Sequence, residues 1–173
     1  EATRGSLEYL IDGEPYFTRL IASILSAEES IKLRTYIFDN DDYAKEIADL
    51  LKQRSREGVD VQVLLDGLGT LTAAMEDPDT LPVAHQPPVS VQRYLEEDSG
   101  VDVRTIPNIF LTGDHVKTVI IDHGTAFTGG MNIGDEYLRV RAGAPAAPEY
   151  DLTPEPPKLP IHPWVVAEKA ANL

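Results

Sequence analysis

The sequence predicts an α/β domain, a mixed, largely parallel sheet flanked by helices, followed by a proline-rich C-terminal arm. Three observations carry that reading. Apolar residues recur with a helical period over 15–29, then switch to period two over 30–38. The tetrapeptides Gly58-Val59-Asp60-Val61 and Gly100-Val101-Asp102-Val103 each close a helical pattern and open a strand. Helix, glycine and strand used twice imply parallel β–α connections in one sheet. Finally, seven prolines fall between 145 and 163, where regular structure is not expected.

Each element follows from its residues. Phe17, Leu20, Ile21, Ile24 and Leu25 sit at i, i+3, i+4, i+7 and i+8, one face of an amphipathic helix from Pro15 to Glu29. Ser30 to Phe38 (SIKLRTYIF) alternates apolar and polar residues and reads as a strand. Asn40, Asp41 and Asp42 offer N-cap chemistry for a second helix, with Tyr43, Ile47, Leu50 and Leu51 inward and Gly58 stopping it. Val59 to Gly67 (VDVQVLLDG) is a second strand, more buried through Leu64 and Leu65. Residues 71 to 90 contain Pro78, Pro82, Pro87 and Pro88 and read as an excursion outside the sheet. A helix carrying Tyr94 and Leu95 precedes the strand at Val101. Residues 1–143 form the domain, and 144–173 the tail or arm, whose end from Trp164 to Leu173 is expected to be a short docking helix.

The bulk composition narrows the function classes. A chain of 173 residues with 42% hydrophobic content suits one compact domain, alone or with an appendage. Cysteine is absent, which rules out disulfides and thiolate metal sites and leaves the redox compartment open. The start at Glu-Ala-Thr suggests that an upstream segment has been removed. No stretch approaches the roughly 18 unbroken apolar residues of a membrane span. A net charge of -14 disfavours nucleic acid and strongly anionic membranes, though a zwitterionic head group would feel little of it.

The chemistry concentrates in residues 113 to 132, GDHVKTVIIDHGTAFTGGMN. Alternation puts His115, Lys117 and Val119 on one face of a strand. An imidazole beside an ammonium suits an anionic substrate: the lysine neutralises non-bridging oxygens while the histidine attacks or moves a proton. Asp122-His123-Gly124 has turn chemistry, so the strand doubles back through Ala126 to Thr128. Gly129 and Gly130 let the backbone approach a ligand. Met131 to Leu138 reads as a helix whose N-terminus is an anion site, with Asn132 donating its amide there. Singly, each residue has an ordinary structural explanation. The joint spacing, with Lys two, Asp seven, Gly fourteen and Asn seventeen residues after His115, points to a phosphate-handling site.

That stretch resembles the HxKxxxxD motif of the phospholipase D superfamily, with matches at His115, Lys117, Asp122, Gly129, Gly130 and Asn132. The continuation Ile133-Gly134-Asp135-Glu136-Tyr137-Leu138 is similar to bacterial cardiolipin synthases, as is the upstream run with TYIF and VLLDGLG. The resemblance covers roughly residues 8 to 138. It implies a metal-free, cofactor-free phosphodiester mechanism through a phosphohistidine on His115. Lys117 and Asn132 would hold the equatorial oxygens beside Gly129 and Gly130. Asp122 completes the catalytic motif, assigned to ordering the turn rather than to chemistry.

Two departures qualify it. The family needs two motifs per active site, in one long chain or across a homodimer, and this chain has one, since His85, His123 and His162 lack a lysine two residues on. The bacterial synthases also carry a Trp-x-Asp strand whose acid buttresses the nucleophile, whereas Trp164 is followed by Val165 and Val166. The expected partners are therefore a phospholipid substrate, a second copy of the chain and a peripheral membrane contact, with nucleic acid disfavoured. The compartment stays open between a peripheral membrane position and a periplasmic or secreted one. The rival expectations are a homodimeric nuclease of the same superfamily and a catalytically inert interaction module.

Overall fold

The computed structural model describes residues 5–73, 91–107, 113–138 and 164–169. Strand β1 (Gly5–Leu10) and helix α1 (Gly13–Ser26) open the chain, followed by β2 (Ser30–Thr35), α2 (Asp42–Arg56) and β3 (Asp60–Asp66). Then come α3 (Gly67–Ala73), α4 (Val91–Glu96) and β4 (Asp102–Ile106). The hairpin β5 (Lys117–Ile121) and β6 (Thr125–Gly129), the short α5 (Asp135–Leu138) and β7 (Trp164–Lys169) complete it. The excursion expected before 91 and the proline-rich run before 164 lie almost wholly outside the described residues.

The seven strands among the described residues form one sheet in the order β1-β7-β6-β5-β2-β3-β4. It is mixed, as expected, but not largely parallel. Only β2–β3 and β3–β4 run parallel, while β1–β7, β7–β6, β6–β5 and β5–β2 are antiparallel. The two glycine–strand repeats supply the parallel pairs, each preceded by a helix that makes the crossover. The antiparallel half comes from a hairpin and from strands far apart in sequence, whose pairing leaves no local mark.

Burial follows most of the predicted periods, but Leu25, expected on the inward face of α1, is 49% exposed, and Leu64 is only partly covered. On α1, Phe17, Leu20 and Ile24 are fully covered, and on α2 Ile47 and Leu51 are. They lie over the inward residues of the sheet, which include Ile31, Leu33, Val61, Val63, Leu65, Val119 and Phe127. Edge-to-face rings tie these elements together: Phe17 of α1 meets Tyr43 of α2 at 5.0 Å, and Tyr16 of α1 meets Phe127 of β6 at 6.0 Å. Each covered Leu, Ile or Phe side chain contributes about 1.5–3 kcal/mol. The alternate residues Lys32, Arg34, Gln62, Leu64, Arg104, Thr118 and Ile120 line an open groove on the other face.

The cap signals hold with one refinement. Asp41 is the N-cap of α2, its Oδ1 accepting from the Ala44 amide at 2.6 Å. Gly58 follows the helix with φ +101°, a conformation that costs a side chain but not glycine. Two expectations fail. Trp164–Lys169 is a strand rather than a helix, inserted between β1 and β6, which suits its β-branched and aromatic start. Residues 131–134 are not helical, because Ile133 forms a parallel bridge with Phe38, just past the end of β2. The Asp39 amide donates to the Ile133 carbonyl at 2.9 Å, and the Ile133 amide to the Ile37 carbonyl at 3.2 Å. Helix α5 begins only at Asp135.

Candidate active site

The parallel strands β2 and β3 end where antiparallel β5 begins and β6 ends, so four termini converge at one edge of the sheet. The carboxyl ends of parallel strands are where open α/β sheets commonly bind ligands. Lys117, Val119 and Ile121 occupy the buried face of β5. His115 falls two residues before the strand, beyond the helical cover, and is exposed. Alternation thus keeps His115 beside Lys117 while the end of the strand brings the imidazole to solvent.

A buried carboxylate fixes the approach to His115. Asp66, at the end of β3, accepts from the amides of Leu68 and Gly69 through Oδ1, each at 2.9 Å. Its Oδ2 accepts from the Asp114 amide at 2.7 Å. One side chain therefore anchors the start of α3 and the residue preceding His115. Asp114 in turn pairs with the Arg34 guanidinium of β2 and accepts from the Val116 amide at 3.2 Å. The Arg34 hydrogen bond, opposed by partial burial and aided by the Val116 amide, holds the Asp114 carboxyl below its ordinary range.

Lys117 closes the other side, its Nζ donating to the His115 carbonyl at 2.9 Å. Burial pulls its ammonium below the ordinary lysine range, and the charges of Asp114 and Asp66 oppose that pull. A desolvated ammonium interacts more strongly with an incoming anion than a hydrated one. The Tyr36 ring stacks on the His115 imidazole with centroids 3.8 Å apart and 24° between planes. Gly129 pairs directly with Lys117 across the hairpin, and exposed Gly130 follows at the same edge.

Asn132 reaches this edge as well. It is buried, its Oδ1 accepting from the Ile37 amide at 3.1 Å and its Nδ2 donating to the Tyr137 hydroxyl at 2.6 Å. Burial, offset by Asn132 and reinforced by Glu136 and Asp39, pushes the Tyr137 phenol up to about 12, so it remains protonated. The N-terminus of α5, expected to hold an external anion, already has one: the Asp135 amide donates to Asp41 Oδ2 at 2.5 Å. Burial raises the Asp41 carboxyl despite these amide contacts.

Asp122 stands apart from the other predicted residues. It lies at the far end of β5, in a turn where Asp122 and His123 have φ of 48° and 57°, the positive values of a type I′ turn. Its carboxylate accepts from the amides of Glu28, Glu29 and Ser30, each at 2.8 Å. Burial raises the carboxyl, but these three amides and nearby His123 outweigh it and leave it low. Among the described residues, no group of three or more His, Asp or Glu side chains is placed to hold a metal ion.

The model of the phospholipase D-like domain of cardiolipin synthases matches residues 20–142, most of the chain and the whole site edge. The chain belongs to that family. The major cardiolipin synthase ClsA of Bacillus subtilis is 35% identical over 133 residues, covering 77% of this chain and 26% of that protein. A Clostridium perfringens cardiolipin synthase is 32% identical over 147 residues, covering 78% and 27%. The chain therefore spans about a quarter of the length of these relatives. Two solved structures share the fold. Nuc of Salmonella typhimurium, a phospholipase D family member, has a TM-score of 0.61 at 20% identity, covering 97% of this chain and 84% of that one. The phosphatidylserine synthase of Haemophilus influenzae has a TM-score of 0.62 at 20% identity, covering 95% and 34%.

This phospholipase D-like domain thus gathers His115, Lys117, Gly129, Gly130 and Asn132 at one edge and leaves Asp122 at the other. Sequence reasoning missed Asp66, Tyr36 and the Arg34–Asp114 pair. Asp66 had a usable signal, since an acid ending a strand before Gly67 has capping chemistry. Asp114 carries no local signal, because only the antiparallel β2–β5 pairing brings Arg34 to it. No helix among the described residues is long and apolar enough to cross a membrane.

Proposed function

We propose that this chain is a phospholipase D-type half-domain that hydrolyses or transfers phosphodiesters of phospholipids through a phosphohistidine on His115. The observation that carries this reading is an exposed imidazole whose own backbone carbonyl is gripped by a buried, partly desolvated lysine. An imidazole nitrogen attacks phosphorus, an N–P bond forms, and the P–O bond to the leaving alcohol breaks. A second histidine, as imidazolium, gives that alkoxide its proton. Water or an acceptor alcohol then attacks the phosphohistidine, loses its proton to the second histidine, and the N–P bond breaks. Lys117 balances charge on the non-bridging oxygens, with Asn132 and the Gly129–Gly130 backbone as further donors. General acid assistance is worth about 10²–10⁴ in rate.

The second histidine comes from a second copy of the chain. One motif cannot supply nucleophile and acid on opposite sides of phosphorus at once, and a two-fold axis through the site edge provides both from identical chains. A contact of standard size would bury about 800 Å² on each side. Lipid is favoured over nucleic acid as substrate because the matched relatives are cardiolipin synthases and the chain carries a net charge of -14.

The test incubates the protein with phosphatidylcholine, phosphatidylglycerol or single-stranded DNA, quenches each reaction mid-turnover and maps phosphoryl adducts. The expected result is an acid-labile adduct on His115 with a lipid, lost in His115→Ala. Sedimentation should show a dimer at tens of micromolar. Turnover at near wild-type rate in His115→Ala overturns the mechanism, and a strict monomer that still turns over lipid overturns the shared site.

A further inference from the structure

The nucleophile assigned above is exposed, and an exposed imidazole ordinarily samples several rotamers. Tyr36 restricts it. The residue lies just past β2, and its ring covers one face of His115 at 3.8 Å, nearly parallel. The Lys117 Nζ sits 5.2 Å from the centroid of the same ring. The two functional groups of the motif therefore share one aromatic plate.

The plate occupies a slot that excludes side chains on two sides. A Cβ added at Gly113 would lie 2.7 Å from Tyr36 Cε2. One added at Gly69 would lie 1.7 Å from the Tyr36 carbonyl oxygen and 3.2 Å from Cδ2. The segments carrying these glycines are joined through Asp66, which binds the amides of Gly69 and Asp114. Three separate stretches thus converge to seat one ring against one imidazole. The sequence offers no acid in the family's Trp-x-Asp pattern, since Trp164 is followed by Val165 and Val166, and the group in contact with the imidazole is the Tyr36 ring.

We propose that Tyr36 is the positioning residue for His115, its ring holding the imidazole plane so that a ring nitrogen faces the phosphorus that Lys117 holds. The stack covers a face of the imidazole and leaves its edge, where the lone pair lies, open to substrate. This inference rests on the nucleophilic role proposed for His115. The part played by the ring is the stack itself, so phenylalanine should serve as well as tyrosine.

The experiment uses the intact chain and phosphoramidate, a small phosphoryl donor that needs no second motif. Site-resolved mass spectrometry compares phosphorylation of His115 with that of His123. In parallel, NMR records the His115 ring protons. In wild type these protons should be shifted upfield by the tyrosine ring current, and His115 should react faster than His123. Tyr36→Phe should preserve both properties. Tyr36→Leu should abolish the upfield shift and lower the preference for His115 by about 3- to 10-fold, the ratio an aromatic pair sustains. Gly113→Ala crowds the ring without removing it and should act in the same direction, which keeps the test open if Tyr36→Leu does not fold. An unshifted wild-type His115, or a preference unchanged when the shift is lost, overturns the positioning role. Loss in Tyr36→Phe overturns it too, by assigning the effect to the hydroxyl. Equal rates at His115 and His123 in wild type overturn it by a different route, since they remove the nucleophile reading on which it rests.

Discussion

Replacing Asp122 with alanine removes three acceptor contacts at once, to the amides of Glu28, Glu29 and Ser30. Hydrogen bonds to a charged group are worth about 1.5–3 kcal/mol when shielded from water. The Glu28 and Glu29 contacts are exposed, so water replaces much of each and about 0.5–1 kcal/mol apiece is lost. The half-buried Ser30 contact adds about 1.5 kcal/mol, and alanine at φ 48° about 1 kcal/mol more. The sum is about 3.5–4.5 kcal/mol, or a Tm lowered by roughly 10 °C for a chain of this size. Asp122→Asn keeps an acceptor oxygen and tolerates the positive φ, so it should lose about half as much. The pH dependence has a definite sign. The folded carboxyl lies below its unfolded value of 3.8, so the stability it contributes is present above that pH and is lost as pH falls through the folded value. Five strand steps of about 3.3 Å put Asp122 some 17 Å along β5 from Lys117. Turnover per folded molecule, assayed well below the Tm, should therefore stay within about threefold of wild type, under 0.7 kcal/mol in barrier. A variant with unchanged Tm and a hundredfold loss of turnover would refute the division between a structural turn acid and a remote catalytic edge.

Lys117→Met should cost about 10²–10³ in turnover without lowering Tm. Burial holds the folded lysine below its unfolded value of 10.5, so wild-type stability rises with pH between the two values, and urea titrations of the variant should lack that rise. Gly58→Ala should destabilise by about 1–2 kcal/mol, because its φ of +101° strains any side chain even though nothing lies within 4 Å of an added Cβ. Thermal melts check this, and Gly58→Asn should recover part of the loss. Excess chelator should leave lipid turnover intact; loss restored by one particular divalent ion would require a metal in the mechanism.

The local periods were legible because they are written in neighbouring residues. The helical stripe of α1, the alternation of β2 and β3, the cap at Asp41 and the stop at Gly58 each depend on a few adjacent side chains, and all four stand. Strand β1 was not expected, although Ser6-Leu7-Glu8-Tyr9-Leu10 alternates, and its Leu7 and Tyr9 are exposed. The motif spacing was legible too, since the turn at 122–124 and the strand period carry His115, Lys117 and Gly129 to one place.

Other features depended on which distant segments meet. Nothing near Trp164 states that a neighbouring strand awaits it, and its pairing with both β1 and β6 turned an expected helix into β7. Residues 131–134 have the composition of a helix start, but the backbone groups of Ile37 and Asp39 claim theirs first. A carboxylate can cap its own helix from local sequence alone. Whether its second oxygen also reaches Asp114, as Asp66 does, or Asp135, as Asp41 does, is decided by strand order. The same holds for the plate under His115. Tyr36 and His115 lie 79 residues apart, and only the antiparallel β2–β5 pairing lays one ring on the other. Sequence named the groups that can do phosphoryl chemistry, and tertiary pairing decided what holds them still.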